Sequence, residues 1–262
     1  MSYLGFDTSI QTLSVALGNE SVIQAEYTSN TRKDHSSRLM PVIDRMMQES
    51  GVQPRDLQGI IVAQGPGSYT GLRIGVSAAK SMAWALNIPL LGISSLSLIA
   101  RSCKYFAGYV VPLIDARRGQ VYTGLYRFQG LTEDGGCQYD AGDMLNHMEN
   151  SMQEQDRLVM LQDWLVFLKE KYCNPSEGET PPLLFVGNDL SIHRELIASI
   201  IPESHLCFAG VGSLSSRAAE LLEVGIPMLK QGISNDAKSF APEYLRLAEA
   251  EQNWLNQQSS PN

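Results

Sequence analysis

The first hundred residues alternate between short runs of β-branched and apolar residues and longer segments with helical spacing. Alternating or continuous apolar runs bounded by Gly, Ser or Asn predict strands, and apolar residues repeated every three or four positions predict amphipathic helices. The resulting order is βββαβα followed by one more strand. The predicted elements are strands at 3–7, 12–18, 22–28, 59–64 and 89–93, with helices at 35–50 and 71–86.

The second half partly repeats this order. A hairpin is predicted across "RRG", and strands then alternate with helices, the last helix starting at a Ser cap and ending at Gly225. The stretches 130–160 and 173–181 are polar and irregular. The predicted elements are strands at 109–116, 120–128, 182–187 and 205–210, with helices at 163–172, 191–201 and 213–225.

A duplicated βββαβα unit predicts an α/β protein with two stacked lobes and a cleft between them. We expect a first lobe at 1–106 and a second lobe at 107–246, whose C-terminal segment packs back on the first. The polar tail 247–262 is expected to be disordered.

The composition argues against several classes of function. The chain has 262 residues and a net charge of -8, with only short basic pairs such as Arg117-Arg118, so we expect no autonomous strong binding to nucleic acid. No apolar run approaches a membrane span, and no basic, apolar leader opens the sequence, so we expect a cytoplasmic protein without membrane contact. Four widely spaced cysteines are expected to be free thiols: Cys103, Cys137, Cys173 and Cys207.

The stretch "GPGSYTGLRIG" at 65–75 lies between a predicted strand and a predicted helix. A phosphate-binding P-loop, a dinucleotide fingerprint and a nucleophile elbow each fail here by spacing. The prediction is a tight turn with Thr70 as the helix N-cap. Free N–H groups that hold an anion are the functional alternative.

Two acidic turns are weaker candidates. Asp7 and Thr8 in "FDTS" end the first strand, as in the first phosphate loop of the actin/hexokinase/heat-shock-kinase (ASKHA) superfold, where an Asp helps to hold magnesium. Asp115 stands beside Arg117 and Arg118 at a hairpin tip. This tip is an ordinary turn or a second anion loop that faces Asp7 across the cleft.

The histidines predict no metal site. Zinc requires three or four converging ligands, and no two histidines are three or four residues apart. The four are His35, His147, His193 and His205.

Several motifs together resemble the bacterial TsaB (YeaZ) family: "GFDTS", "HSSRLMPVIDRMM", the glycine stretch through "PLLGISSL", "PLIDARRGQVY" and "APEYLR". The resemblance implies the two-lobed ASKHA fold. It also implies a noncatalytic role in the threonylcarbamoyl modification of the adenosine beside the tRNA anticodon. The implied partners are a TsaD-type transferase and a TsaE-type ATPase, with a homodimer when the chain is alone and tRNA contacted only through the complex.

Sequences of the TsaD type carry two metal-binding histidines after the stretch that parallels "PLLGI". Laid on that pattern, these positions fall on Ser95 and Ile99, of which serine is a poor ligand and isoleucine none. On the adenine side, Gly187-Asn188 replaces the paired glycines of nucleotide-binding relatives. We therefore expect no metal, no cofactor and no catalytic residue. A glycoprotease-like peptidase and a small-molecule kinase of the same superfold remain the alternatives.

The two first-lobe helices are predicted to form the partner surface. Helix 71–86 has a side of small, nearly uncharged residues, and helix 35–50 has more large apolar residues than one buried stripe needs. Two such helices meeting two from a paralogue would form a four-helix contact. The predicted contact residues are Leu39, Ile43, Met46, Met47, Ile74, Ser77, Ala78, Ser81 and Ala85.

Overall fold

The structure is a computed structural model that describes residues 1–31, 34–128, 152–174, 180–213 and 217–245. The predicted disordered tail 247–262 lies outside these residues, as do Cys137, His147 and most of the stretch 130–160.

The first lobe is built on a five-stranded mixed sheet in the order β3-β2-β1-β4-β5. Strands β1, β2 and β3 form an antiparallel meander, whereas β4 pairs in parallel with both β1 and β5. Its elements are β1 (Ser2–Asp7), β2 (Leu13–Gly18), β3 (Ile23–Ser29), α1 (His35–Glu49), β4 (Leu57–Gly65), α2 (Tyr69–Leu86), β5 (Leu90–Ser94) and α3 (Ser95–Arg101).

The second sheet repeats this plan in the order β8-β7-β6-β9-β10. The pairs β6–β7 and β7–β8 are antiparallel, and β9 is parallel to both β6 and β10. Its elements are β6 (Tyr109–Asp115), β7 (Gln120–Tyr126), β8 (Met152–Met160), α4 (Leu161–Tyr172), β9 (Leu183–Val186), α5 (Leu190–Ile200) and β10 (Leu206–Phe208), with α6 (Ala218–Lys230) following.

The two sheets therefore have the same strand order, directions and helix placement, which confirms the predicted two-lobed ASKHA-type α/β fold. Strands β1 and β2 are buried on both faces because helices cover each side of the first sheet. Helices α1 and α2 cover one face, and α6 covers the other.

The last helix differs from its prediction in both ends and surroundings. It spans Ala218–Lys230 rather than 213–225, and Gly225 lies inside it. A Cβ at Gly225 would come within 2.6 Å of the Ile61 side chain, so this glycine serves close packing of α6 on the first sheet rather than a helix stop.

The sequence pattern did not predict strand β8 or helix α3. Strand β8 lies in the stretch predicted to be irregular, because its inward positions include Glu154 and Asp156 where a half-buried strand normally carries apolar residues. Helix α3 has only seven residues and follows β5 directly, so it shows little helical periodicity; Ser94 caps it by accepting from Ser97 N at 3.2 Å.

Candidate functional site

The turn after β1 carries the two weak cofactor candidates, and both are buried. Asp7 Oδ1 accepts from Ser9 N at 2.7 Å, and Thr8 Oγ1 donates to the carbonyl oxygen of Gly71 at 2.7 Å. The turn is therefore bonded to the start of α2 rather than open to solvent.

The glycine stretch packs directly against this turn. A Cβ on Gly67 would lie 2.2 Å from the Ser9 carbonyl oxygen, and one on Gly71 would lie 2.0 Å from the Thr8 carbonyl oxygen. Ser68 N also donates to Ser9 O at 2.6 Å. The two glycines are thus explained by the close approach of two backbone segments.

The predicted N-cap of α2 is wrong by two positions. The helix begins at Tyr69, and Ser68 is its N-cap, with its Oγ accepting from Gly71 N at 3.3 Å. Thr70 lies within the first turn.

An apolar cluster spans the junction between the lobes at the carboxyl ends of β1 and β5. Ile10 extends from the β1–β2 turn into it, with 7% of its surface exposed. Its buried members come from both lobes: Ile10, Leu96, Ile99, Ala100, Val110, Ile114, Tyr126 and Val186. Protein side chains therefore occupy this part of the junction.

The two positions that correspond to metal-binding histidines lie in or beside this cluster. Ser95 and Ile99 are 0% and 1% exposed. A lone hydroxyl and a sec-butyl group do not fit a catalytic metal. Among the residues that the structure describes, no group of three or more His, Cys, Asp or Glu side chains could hold a metal ion.

A polar contact beside Ser95 also joins the lobes. Asp156 on β8 accepts from Ser94 Oγ at 2.5 Å and from the Tyr126 hydroxyl. Burial raises the pKa of Asp156, the nearby Glu243 carboxylate raises it further, and the two hydrogen bonds oppose that rise. The motif search missed Asp156 because it lies on the unpredicted strand.

Helix α3, which carries Ser95, is held against α6 by charged side chains. Arg101 is almost fully buried, and its Nη2 lies 3.2 Å from Glu223 Oε1. Burial alone would raise the pKa of Glu223, but the bond from Lys104 and the charge of Arg101 hold it below its usual value. These ion pairs fix α3 at the junction.

The loop after β9 closes the far side of the junction. Asn188 Nδ2 donates to Thr12 Oγ1 at 2.8 Å, which links the second lobe to the start of β2. A Cβ on Gly187 would lie 2.1 Å from the Leu113 carbonyl oxygen, and its φ is +150°. Gly187 therefore serves a strained, tightly packed turn.

The hairpin tip after β6 is braced from α5. Asp115 Oδ1 lies 3.1 Å from His193 Nε2, and Asp115 N donates to Asp189 Oδ2 at 3.2 Å. Arg117 and Arg118 are exposed at this tip. Asp115 is thus engaged by α5.

Residues 235–245 form a strap along the edge of the first sheet. Asn235 N donates to Leu90 O at 2.7 Å, and Lys80 Nζ on α2 donates to Phe240 O at 2.6 Å. Phe240 is buried in the core beneath α2. The strap therefore covers edge strand β5 and fixes one side of α2.

The apolar residues predicted on α1 are in the core of the lobe. Leu39, Ile43, Met46 and Met47 are 1%, 2%, 6% and 6% exposed and pack with β1, β2 and α2. The argument that they exceed one buried stripe is wrong, because all four lie on the sheet-facing side of α1. Their side chains are not available to a partner in this fold.

The outer side of α2 contains the other predicted contact residues. Ser77, Ser81 and Ala85 are exposed, whereas Ile74 and Ala78 are half-buried against the core. Sequence reasoning missed Trp84, which lies three residues after Ser81 and is 73% exposed. The helical spacing of Trp84 from Ser77 and Ser81 places it on the same side of α2, and this spacing could have identified it from the sequence.

Helix α1 also exposes one large apolar group. Met40 is 47% exposed. We define the outer face as Met40, Ser77, Ala78, Ser81, Trp84 and Ala85. An exposed Trp on a helix side with few charges is typical of an interface.

Within the described residues, no helix is both long enough and apolar enough to cross a bilayer.

Comparison with known proteins places this architecture in a family. The sequence model of the TsaD family, described as tRNA N6-adenosine threonylcarbamoyltransferase, matches residues 22–254. The TsaB protein of Bacillus subtilis, a tRNA threonylcarbamoyladenosine biosynthesis protein, is 39% identical over 98% of this chain and 100% of its own length. The chain belongs to the TsaB family.

Other relatives agree. The TsaB protein of Escherichia coli is 34% identical over 48% of this chain and 55% of its own. The solved structure of YeaZ from Pseudomonas aeruginosa superposes with a TM-score of 0.69 over 93% of this chain and 99% of its own, at 24% identity. That likeness supports the two-lobed fold.

Proposed function

We propose that this protein is a noncatalytic subunit in tRNA threonylcarbamoyladenosine biosynthesis. It binds a TsaD-type transferase through the outer face, and a TsaE-type ATPase joins the resulting complex. Alone, the chain uses the same face to form a homodimer. Membership of the TsaB family supports the pathway, and the outer face supports the role in binding.

The observation that carries the noncatalytic role is the filled lobe junction. Ile10 and Ile99 occupy it from the first lobe, and Ser95 supplies a single buried hydroxyl. A metallopeptidase or a transferase would need converging ligands at this place. A kinase would need Asp7 to reach bound metal, whereas Asp7 is buried and bonded to Ser9.

The outer face supports partner binding for a different reason. Small side chains such as Ser77, Ala78 and Ser81 let a second helix approach closely, and Trp84 supplies a large anchor of the kind that dominates binding energies. A helix pair from a paralogue that packs on α1 and α2 would bury this anchor in a four-helix contact.

Reconstitution tests the proposal. The protein is combined with its TsaD-type paralogue, the TsaE-type ATPase, threonylcarbamoyl adenylate and unmodified tRNA, and the modified nucleoside is quantified. We expect product only when the chain is present with the paralogue, and none from the chain alone. Modification by the chain alone, or full modification without it, would contradict the proposal.

A further inference from the structure

The tip of the β6–β7 hairpin has an unusual backbone for its residues. Arg117, Arg118 and Gly119 have φ values of 64°, 56° and 74°. Glycine adopts this left-handed region freely, but side chains with a Cβ do so at a cost, and Asn or Gly is the usual choice at such turns. Two consecutive arginines are therefore not explained by the turn itself.

The tip is held in a fixed position from the N-terminal ends of two helices. Asp115 is bonded to Asp189, the N-cap residue of α5, and to His193 within that helix. The first residue of α4, Leu161, donates its N–H to Gly119 O at 2.9 Å. A braced hairpin presents its side chains with little loss of freedom on binding.

The charge of the tip contrasts with that of the whole chain. Both arginines are exposed, and Arg118 also interacts within the chain. The carbonyl oxygen of Arg117 accepts from Gln120 N at 3.0 Å, whereas its guanidinium group has no ion-pair partner in the part of the chain that the structure describes. The protein as a whole has a net charge of -8. Any contact with a polyanion must therefore be local, and the planar guanidinium group is suited to phosphate oxygens.

We propose that Arg117 and Arg118 contact the phosphate backbone of the RNA substrate. This inference rests on the proposed function, which brings a tRNA to the complex. The tip lies in the second lobe beside Asp189, whereas the outer face is on helices of the first lobe, so the proposed RNA contact uses other residues than the proposed partner contact. One protein could then hold the transferase and its RNA at the same time. Backbone strain at the tip is retained for this contact.

The first test measures the affinity for labelled, unmodified tRNA at several salt concentrations. The chain alone and its complex with the paralogue are each titrated. The double variant Arg117→Gln/Arg118→Gln is compared with Arg55→Gln/Lys169→Gln, which removes the same charge from exposed positions elsewhere. We expect the first pair to raise the Kd about tenfold or more and to lower the salt slope by about 1.5, because each phosphate contact contributes about 0.7–0.9.

Binding to the paralogue is measured separately by sedimentation, and we expect it to be unchanged in both double variants. If the complex forms but the tip variant matches its control in affinity and slope, both alone and in complex, the RNA contact is wrong. Loss of paralogue binding with unchanged tRNA affinity would instead assign the tip to a protein contact and also overturn it. A failure of the wild-type chain to bind the paralogue counts against the proposed function only, because weak tRNA binding by the chain alone, measured at low salt, still reports on the arginines.

A second variant separates the RNA contact from any effect on folding. Arg117→Asn/Arg118→Gly places residues that favour positive φ at the tip. We expect a higher Tm than wild type together with weaker tRNA binding. Weaker binding in a stabilised protein cannot come from unfolding, whereas unchanged tRNA affinity would show that the arginines have no role in RNA binding.

Discussion

The lobe junction, to which both lobes contribute, and the outer face of α1 and α2 differ in burial and in the side chains they present. At the junction, Ile10 and Ile99 pack into a closed apolar cluster, and Asp7 and Thr8 are bonded within the chain. On the outer face, Trp84 is 73% exposed among small side chains. The junction is thus a packed interior, and the binding role that we propose lies on the exposed outer face.

The two sides of α1 give the largest expected contrast. Met46→Asp would bury an unpaired charge under the helix, and we expect a loss of about 4 kcal/mol in the free energy of unfolding. Met40→Asp makes the same change on the exposed side and should cost well under 1 kcal/mol. Chemical denaturation of both variants measures the difference. Equal stabilities would show that α1 does not pack as described.

The outer face is tested by Ala78→Glu. We expect the variant to fold, with only a modest loss of stability because Ala78 is half-buried. We also expect binding to the paralogue and homodimer formation to weaken about a hundredfold, because the new charge would be buried in the contact. Ala198→Glu on the exposed side of α5 is the matched control. Binding is measured by sedimentation and the fold by a melting curve. Wild-type association by Ala78→Glu would place the interface elsewhere.

The glycine stretch distinguishes packing from ligand binding. Gly67→Ala places a Cβ 2.2 Å from the Ser9 carbonyl oxygen, and we expect it to destabilise the protein by about 1–3 kcal/mol. Gly210→Ala meets nothing within 4 Å and should have almost no effect. The comparison uses Tm without any ligand. A Gly67→Ala variant as stable as wild type would reopen the ligand interpretation of this loop.

Trp84→Ala tests whether one side chain anchors the partner on the outer face. We expect association with the paralogue to weaken about tenfold or more, with little change in Tm because the indole is mostly exposed. Ile192→Ala removes a side chain that is 67% exposed on α5 and should not alter binding. Equal effects of the two substitutions, read by titration calorimetry, would remove Trp84 from the interface.

The smallest expected effect is on the pH dependence of stability and comes from Asp156 at the lobe junction. Because the pKa of Asp156 is raised in the folded protein, the folded state keeps a proton that the unfolded chain releases near pH 3.8. The contribution of Asp156 to stability is therefore fully present below pH 3.8 and is lost as the pH rises through the raised pKa. Asp156→Asn does not titrate. The Tm of the variant relative to wild type should therefore increase from about pH 4 to about pH 7. A difference independent of pH would contradict the raised pKa.

Most of the fold could be predicted from the sequence, because the regular spacing of apolar residues is visible wherever a helix or strand has one apolar face. The order of strands and helices along the first lobe, including the helix at 35–50, follows from that rule alone. It fails at β8, where Glu154 and Asp156 face inward to tertiary hydrogen bonds, and at α6, where a glycine packs against Ile61 instead of ending the helix.

The candidate site was only partly predictable. The positions of Ser95 and Ile99 came from resemblance, but their burial depends on the second lobe and is not visible in local sequence. The sequence also cannot say which side of a helix meets its own sheet. That is why Met46 was assigned to a partner surface and Trp84 was overlooked.

Hydrogen–deuterium exchange of this chain with and without its TsaD-type paralogue tests the central claim most directly. We predict that the paralogue slows exchange in α1 and α2, while the amides of the β1–β2 turn and α3 at the junction keep their rates. Protection confined to the junction, or to the second lobe with none in α1 and α2, would contradict an outward-facing binding subunit.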